Sequence, residues 1–195
     1  MKTSPAARRI RQSAMIAATL LALTLGGAGG FYGYVEAGGN FHVVEKDTLY
    51  RSRQLSGPEL ERAIATYGIR SVLNLRGAYP GKDWYDEEIA VSASRHVAHY
   101  DYGIAAERPV APGQLREILR IIRDAPKPML VHCKAGADRT GLVSAVYLFS
   151  RGAKPDQAEG QLSLRYGHFP WFGSGTRAME DSFDAYTKAA AEPAE

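Results

Sequence analysis

The pattern of apolar and polar positions divides the chain into a leader and a body. From Gln12 to Val35 no charged residue occurs, and 14–25 is apolar apart from Thr19 and Thr24. A glycine-rich stretch, Gly26-Gly27-Ala28-Gly29-Gly30, and the aromatic run Phe31-Tyr32-Gly33-Tyr34 follow. A bilayer core takes about 20 mostly apolar residues, so 14–35 is just long enough to span it. Beyond this run the pattern becomes periodic. Residues 36–42 read as a linker and 43–52 as a first strand or extended entry. Ser56-Gly57-Pro58-Glu59 matches a capping box; it predicts a helix with Leu60, Ile64 and Tyr67 on one face, closed by Gly68. Residues 69–75 are nearly all apolar, as in a strand buried on both faces. A helix is predicted over 84–94 and a short strand over 97–102. Leu115, Ile118, Leu119 and Ile122 have helical spacing, and Pro126 and Pro128 end that helix. Met129-Leu130-Val131 reads as a strand, 141–151 as a central helix, 156–166 and 176–190 as further helices, and the last four residues as tail. Strands alternating with helices predict an α/β fold with a mostly parallel central sheet flanked by helices on both faces.

Composition narrows the class. An apolar share of 45% and a charged share of 23% are those of a globular protein and exclude a wholly disordered chain. One Cys in 195 residues excludes a disulfide scaffold and a Cys-rich zinc site. The net charge of +3 is unevenly spread. Lys2, Arg8, Arg9 and Arg11 precede the first acid, Glu36, which leaves 20 of the 24 basic residues against 21 acidic ones. The body therefore carries no nucleic-acid footprint. A basic flank before an uncharged apolar run is a membrane-targeting pattern. Two readings stay open: a retained transmembrane anchor, or a signal segment cut near Ala28-Gly29-Gly30. Positive flanks stay in the cytoplasm, so either reading places the body outside it, in the periplasm if the source is a bacterium. Cleavage would release a secreted or periplasmic form.

The chemistry is concentrated between the strand at 129–131 and the helix at 141–151, in His132-Cys133-Lys134-Ala135-Gly136-Ala137-Asp138-Arg139-Thr140-Gly141. A nucleophile ends a buried strand, and six residues later an Arg stands at a helix start. Backbone N–H groups of such a loop and of the helix N-terminus converge on an anion. Arg139 can grip two phosphate oxygens in a fork, which a Lys cannot. The same positive field favours the thiolate, the reactive form of Cys133. Gly136 lets the backbone turn inward without a Cβ.

This segment resembles the HCxxGxxRTG signature of the cysteine-based protein tyrosine and dual-specificity phosphatases. Thr48-Leu49-Tyr50-Arg51-Ser52 and 69–76 are similar to the entry strands of the atypical plant and fungal dual-specificity branch. The resemblance covers roughly 43–187, with the loop its most specific part. Together with the leader pattern, it divides the chain into 1–35, a basic flank plus anchor or signal segment, 36–42, a linker, and 43–191, the phosphatase domain. It implies that Cys133 attacks phosphorus and forms a phosphocysteine, and that Arg139 binds the phosphoryl group and stabilises its transition state. The substrate-binding amides would come from Lys134, Ala135, Gly136, Ala137, Asp138 and Arg139. Thr140 would help the thiolate leave, and His132 would order the loop. No metal or other cofactor is implied.

The resemblance also calls for a carboxylic acid to protonate the leaving oxygen. Asp101, 32 residues before Cys133 and following the candidate strand residues 97–100, is the first expectation. Asp138 inside the loop is its rival and Glu107 a distant third. Arg165 or His168, in the aromatic stretch 161–172, would touch substrate or simply pack. Arg51 and Arg76 would line the cleft or make ion pairs, and Tyr79, Trp84 and Tyr85 would form a rim or belong to the core. The expected partner is a phosphorylated protein, with a phospholipid or inositol phosphate as the alternative and a non-catalytic phosphate binder as a third reading. Inositide phosphatases of the tumour-suppressor type carry a second Lys where Ala137 stands, and its absence weakens the phospholipid reading without excluding it. A membrane contact through the N-terminal segment, no nucleic acid and a monomer complete the expectations.

Overall fold

The computed structural model describes residues 5–171 and 173–191. Lys2, Phe172 and the tail 192–195 lie outside the described residues. The chain forms two compact units, Met1–Ala37 and Gly38–Glu195.

The first unit holds one helix, α1 (Pro5–Ala37). Its glycines do not interrupt it, although each costs about 1 kcal/mol of helix propensity, and a Cβ added at Gly26, Gly27, Gly29, Gly30 or Gly33 would meet nothing. Met15, Ile16, Leu20, Leu21, Leu23 and Leu25 are all exposed. Among the described residues no helix is long and apolar enough to cross a membrane, so the span expected over 14–35 finds no support there.

The second unit is an α/β fold. Its elements are β1 (His42–Glu45), β2 (Leu49–Ser52), α2 (Gly57–Tyr67), β3 (Ser71–Asn74), α3 (Asp83–Ser94), β4 (Ala98–Asp101), α4 (Pro112–Asp124), β5 (Met129–His132), α5 (Asp138–Ser150), α6 (Pro155–Glu159) and α7 (Ala178–Ala191). The sheet order is β1-β2-β5-β3-β4. Four strands are parallel and β1 is antiparallel to β2, so the sheet is mixed. The single strand expected over 43–52 is in fact a hairpin. It turns at Asp47, which adopts φ 56, a left-handed conformation that Asp tolerates through local hydrogen bonding. The helix expected over 156–166 also breaks. It stops at Gly160, Ser163 is extended, and Leu164–Tyr166 is a 3-10 turn.

Alternate strand residues serve opposite faces. Leu49, Leu73, Met129 and Val131 pack with α4, α5 and α7, while Tyr50, Val72 and Leu130 pack with Leu60 and Ala63 of α2. Helix α5 is buried continuously from Thr140 to Tyr147, which accounts for its lack of a polar stripe. The registers pair Ser52 with His132, His132 with Asn74, and Asn74 with Asp101. The parallel strands thus end in one row, and the loops beyond their carboxyl ends carry the polar residues, the usual place for a site in such a sheet.

Candidate active site

Residues 133–137 wrap from the end of β5 to the start of α5. Cys133 is buried at 2% exposure. Gly136 adopts φ 71, and a Cβ there would lie 2.6 Å from Arg53 N and from the Ser52 carbonyl, so the close approach of β2 requires glycine. The loop's carbonyls are tied outward one by one. Gln54 N donates to Lys134 O at 3.2 Å, and Asn40 Nδ2 to Ala135 O at 2.9 Å. Arg51 Nη2 donates to Gly136 O at 2.7 Å and to Ala137 O at 3.4 Å. In a trans peptide the C=O of one residue opposes the N–H of the next. Holding the carbonyls of 134–137 outward therefore turns the amides of 135–138 toward the inside of the loop, where an anion would sit.

Arg51 is the central brace. It is fully buried, donates through Nη1 to Gln161 O and Oε1 at 2.9 and 2.7 Å, and lies 3.8 Å over the Tyr166 ring. Burial lowers its pKa to about 10, opposed by Tyr166, Cys133 and Asp138, so it stays cationic at neutral pH. Of the two roles left open for Arg51, the structure assigns neither a cleft wall nor a surface ion pair: it holds the loop from behind.

Arg139 leans on the strand ends, with Nη1 3.4 Å from Leu75 O and from Ile104 O. Its Nε and the Thr140 Oγ are buried with no hydrogen-bond partner among the described residues. Such groups are rare in folded proteins, and both stand in the first turn of α5, where the loop enters the helix. Lys134 and Ala135 are exposed at the rim. Arg76 supplies a second cation at the mouth. Its guanidinium lies 3.3 Å over the Trp84 ring, its Nη1 donates to Gln54 Oε1 at 3.2 Å, and burial and Arg139 lower its pKa. Tyr79, which is exposed, packs beside Trp84 with the rings tilted by 52°, so these two form the rim.

Each end of the loop meets a carboxylate–imidazole pair. At the entrance, His132 Nε2 lies 3.1 Å from Glu88 Oε2, and its Nδ1 3.4 Å from Cys133 O. Glu88 also meets His99 Nε2 at 2.8 Å and accepts from Gln54 Nε2 at 2.6 Å. Burial pushes the Glu88 carboxyl up, but the charge and hydrogen bonds of His132 and His99 outweigh this and hold it at about 2. At the exit, Asp138 Oδ1 lies 2.7 Å from His168 Nδ1, whose Nε2 faces Glu180 Oε1 at 3.6 Å. His168 is fully buried and lies behind Asp138, so it packs against the loop's exit. Arg165 sits 5.5 Å from the Tyr166 ring and is exposed.

Asp101 stands two strands from β5. Its Oδ1 accepts from Asn74 Nδ2 at 2.8 Å, and its Oδ2 from the Tyr85 hydroxyl at 2.6 Å. That bond, more than burial, pushes Tyr85 up to about 12; the buried Tyr85 ring packs edge-on against Trp84 at 5.6 Å. Glu107 is exposed on the loop after β4 and packs over Gly175. Sequence reasoning missed Asn40, Gln54 and Glu88. Only Glu88 had a local signal, an acid among the inward positions of a helix without an apolar stripe.

The fold and this loop define a cysteine-based phosphatase architecture. Residues 28–159 match the tyrosine phosphatase family, and the chain belongs to it. Inositol diphosphatase DSP5 of Arabidopsis thaliana is 36% identical over 109 residues, 52% of this chain and 50% of that protein. The chain thus spans about half the length of that curated relative. Among solved structures, P. aeruginosa TpbA superposes with a TM-score of 0.61 at 22% identity, covering 78% of this chain and 91% of that one. The core catalytic domain of the PP-IP phosphatase SIW14 from S. cerevisiae gives 0.60 at 19% identity, covering 78% and 90%. PTPMT1 in complex with PI(5)P gives 0.53 at 14% identity, covering 77% of this chain and 99% of that one. At these identities the three share its fold.

Proposed function

We propose that the body hydrolyses phosphate monoesters in two steps through a cysteinyl-phosphate. The observation that carries this reading is the cradle formed by the outward-tied carbonyls of 134–137, with Cys133 at its start and Arg139 at its end. In the first step the Cys133 sulfur bonds to phosphorus, the P–O bond to the leaving group breaks, and that oxygen takes a proton. In the second, water attacks phosphorus, the S–P bond breaks, and phosphate leaves. The inward amides and Arg139 stabilise the charge that builds on the equatorial oxygens, and Thr140 assists the departing thiolate.

For the proton, Asp138 is the better-supported acid. It stands in the loop itself and has one oxygen beyond the His168 bond, whereas both oxygens of Asp101 serve Asn74 and Tyr85. A protein phosphotyrosine or phosphoserine/threonine substrate remains the first reading; TpbA was solved in complex with pTyr. An inositol phosphate or phospholipid is the second, favoured by the cation Arg76 beside Arg139 and by the names of DSP5 and PTPMT1. The basic flank and the uncharged run 12–35 support membrane targeting, with the body outside the cytoplasm as a monomer.

The full chain is expected to release 4-nitrophenol from 4-nitrophenyl phosphate, unaffected by chelator, and Cys133→Ser to release none. Equal rates for the two would overturn the reading. A panel of phosphopeptides, inositol phosphates and phosphatidyl phosphates then separates the substrate classes. Reporter fusions after residue 40 test the topology.

A further inference from the structure

We propose that His168 is a positioning residue for the reaction: it binds Oδ1 of Asp138 and thereby leaves Oδ2 as the oxygen that carries the proton. This rests on the phosphatase reading above and on Asp138 as its acid.

A carboxyl group next to Arg139 and within electrostatic reach of Arg51 has two guanidinium groups competing for it. Drawn into either fork, it would be a salt-bridge partner and a poor proton donor. The 2.7 Å contact with His168 Nδ1 turns one oxygen away from them, toward α7. His168 is itself held rigidly. Gly167 adopts φ 82, its N–H donates to Leu164 O, and the His168 N–H donates to Ser163 O, the pair of bonds that closes a Schellman turn. A Cβ on Gly167 would touch Ala137 at 3.9 Å, so this turn packs directly on the loop.

A histidine that only filled space would be an expensive choice here. It is fully buried between two carboxylates, and its Nε2 has no hydrogen-bond partner among the described residues. Polar groups are seldom left so. Glu180 faces that nitrogen at 3.6 Å, and burial pushes the Glu180 carboxyl up. The nearer carboxylate sets the tautomer: Asp138 Oδ1 at 2.7 Å takes the Nδ1–H, while Glu180 makes no hydrogen bond that would draw the proton to Nε2. The charged groups facing this cluster are Asp138 on α5, Glu180 on α7, and, around Glu180, Arg177 and Glu159. Arg51 on β2 acts on it through Asp138.

The proton balance is closed. In the first step Asp138 Oδ2 gives its proton to the leaving oxygen, and the resulting carboxylate is held by the His168 Nδ1–H. In the second step the attacking water gives its proton back to Oδ2. His168 keeps its own proton throughout.

The test uses the dependence on leaving group. Help from an acid matters for a poor leaving group such as phenol and little for 4-nitrophenol. His168→Phe is expected to lower kcat about 10–100-fold on phenyl phosphate and only about 2–3-fold on 4-nitrophenyl phosphate, with KM little changed. His168→Asn, whose amide N–H can stand where Nδ1 stands, should recover most of the loss. His168→Gln, which places its N–H where Nε2 stands, should not. Asp138→Asn should show the same dependence more strongly, and Asp101→Asn should not. Equal losses on both substrates, no difference between Asn and Gln, or the dependence appearing in Asp101→Asn would overturn the proposal. If His168→Phe does not fold, the Asn–Gln pair decides it. A wild-type chain that turns over neither ester overturns the phosphatase reading and this inference with it, whereas uniform variants of an active chain overturn this inference alone.

Discussion

The two ends of the phosphate loop use the same pair of groups with the roles reversed. At the entrance the loop contributes the imidazole, His132, and α3 the carboxylate, Glu88. At the exit the loop contributes the carboxylate, Asp138, and the 163–168 turn the imidazole. The surroundings differ as well. Glu88 is sealed at 3% side-chain exposure, while Asp138 keeps 22%. Glu88 is shared among His132, His99 and Gln54 and held near 2, far below any pH at which it could exchange a proton in function. The lesson is that a carboxylate–imidazole pair is a rivet when both members are sealed and multiply bonded. Asp138, with one oxygen outside the bond and 22% side-chain exposure, is the member that the proposed mechanism uses for proton transfer.

The largest effect that could break this contrast is on activity. Asp138→Asn should lower kcat on phenyl phosphate by about 10²–10⁴-fold while moving Tm by no more than a few degrees. The alkaline limb of the wild-type pH–rate profile, which reports the essential acid, should vanish in the variant. A Tm collapse without that change of pH profile would make both ends rivets.

Next in size is Glu88→Gln, expected to cost about 3 kcal/mol of stability by urea titration at neutral pH, as removal of one member of a buried ion pair does. The pH dependence has a fixed sign. The folded carboxyl titrates near 2 and the free one at 4.5, so between those values the native state binds fewer protons than the unfolded chain. Stability is therefore full above 4.5, declines as pH falls through this window, and levels off below 2. Glu88→Gln should flatten that decline. An unchanged acid-unfolding curve would remove Glu88 from the comparison.

Arg51→Lys should cost about 2 kcal/mol and lower kcat together with stability, because an ammonium cannot span both Gly136 O and Gln161. A stable variant with normal kcat would show that the outward carbonyls hold without it. The smallest effect is at the rim. Trp84→Leu removes the face under Arg76, worth about 1 kcal/mol, and should raise KM a few-fold for multiply phosphorylated substrates more than for phenyl phosphate. Equal changes in both would leave Arg76 without a role in selectivity.

These contrasts also mark what can be read from a sequence. The loop was legible because ten consecutive residues hold the nucleophile, the guanidinium, the turn glycine and the helix start. Helix α4 was legible because Leu115, Ile118 and Ile122 repeat at the helical period and are all buried. Gly68 was legible as a cap and adopts φ 64. The hairpin at 42–52 was not, because one polar turn residue in a short apolar run decides between one strand and two. His168 lies 30 residues from Asp138 in a stretch whose aromatics suggest packing. Glu88 meets His132 across 44 residues. Apart from the inward place of Glu88 on α3, a polar residue of ordinary type that acts only through a distant contact leaves no periodic or local trace.

The same holds for Asn40, which reads as linker. It is buried at 2% exposure, and its Nδ2 donates to Ala135 O and to Tyr166 O, both at 2.9 Å. Its neighbour Gly39 accepts from Arg53 N at 2.9 Å. The strip of chain that follows α1 therefore doubles as mortar for the catalytic loop. Truncation of the chain has a narrow permitted window: a start at Gly39 keeps the mortar, and a start only two residues later strips it from the loop.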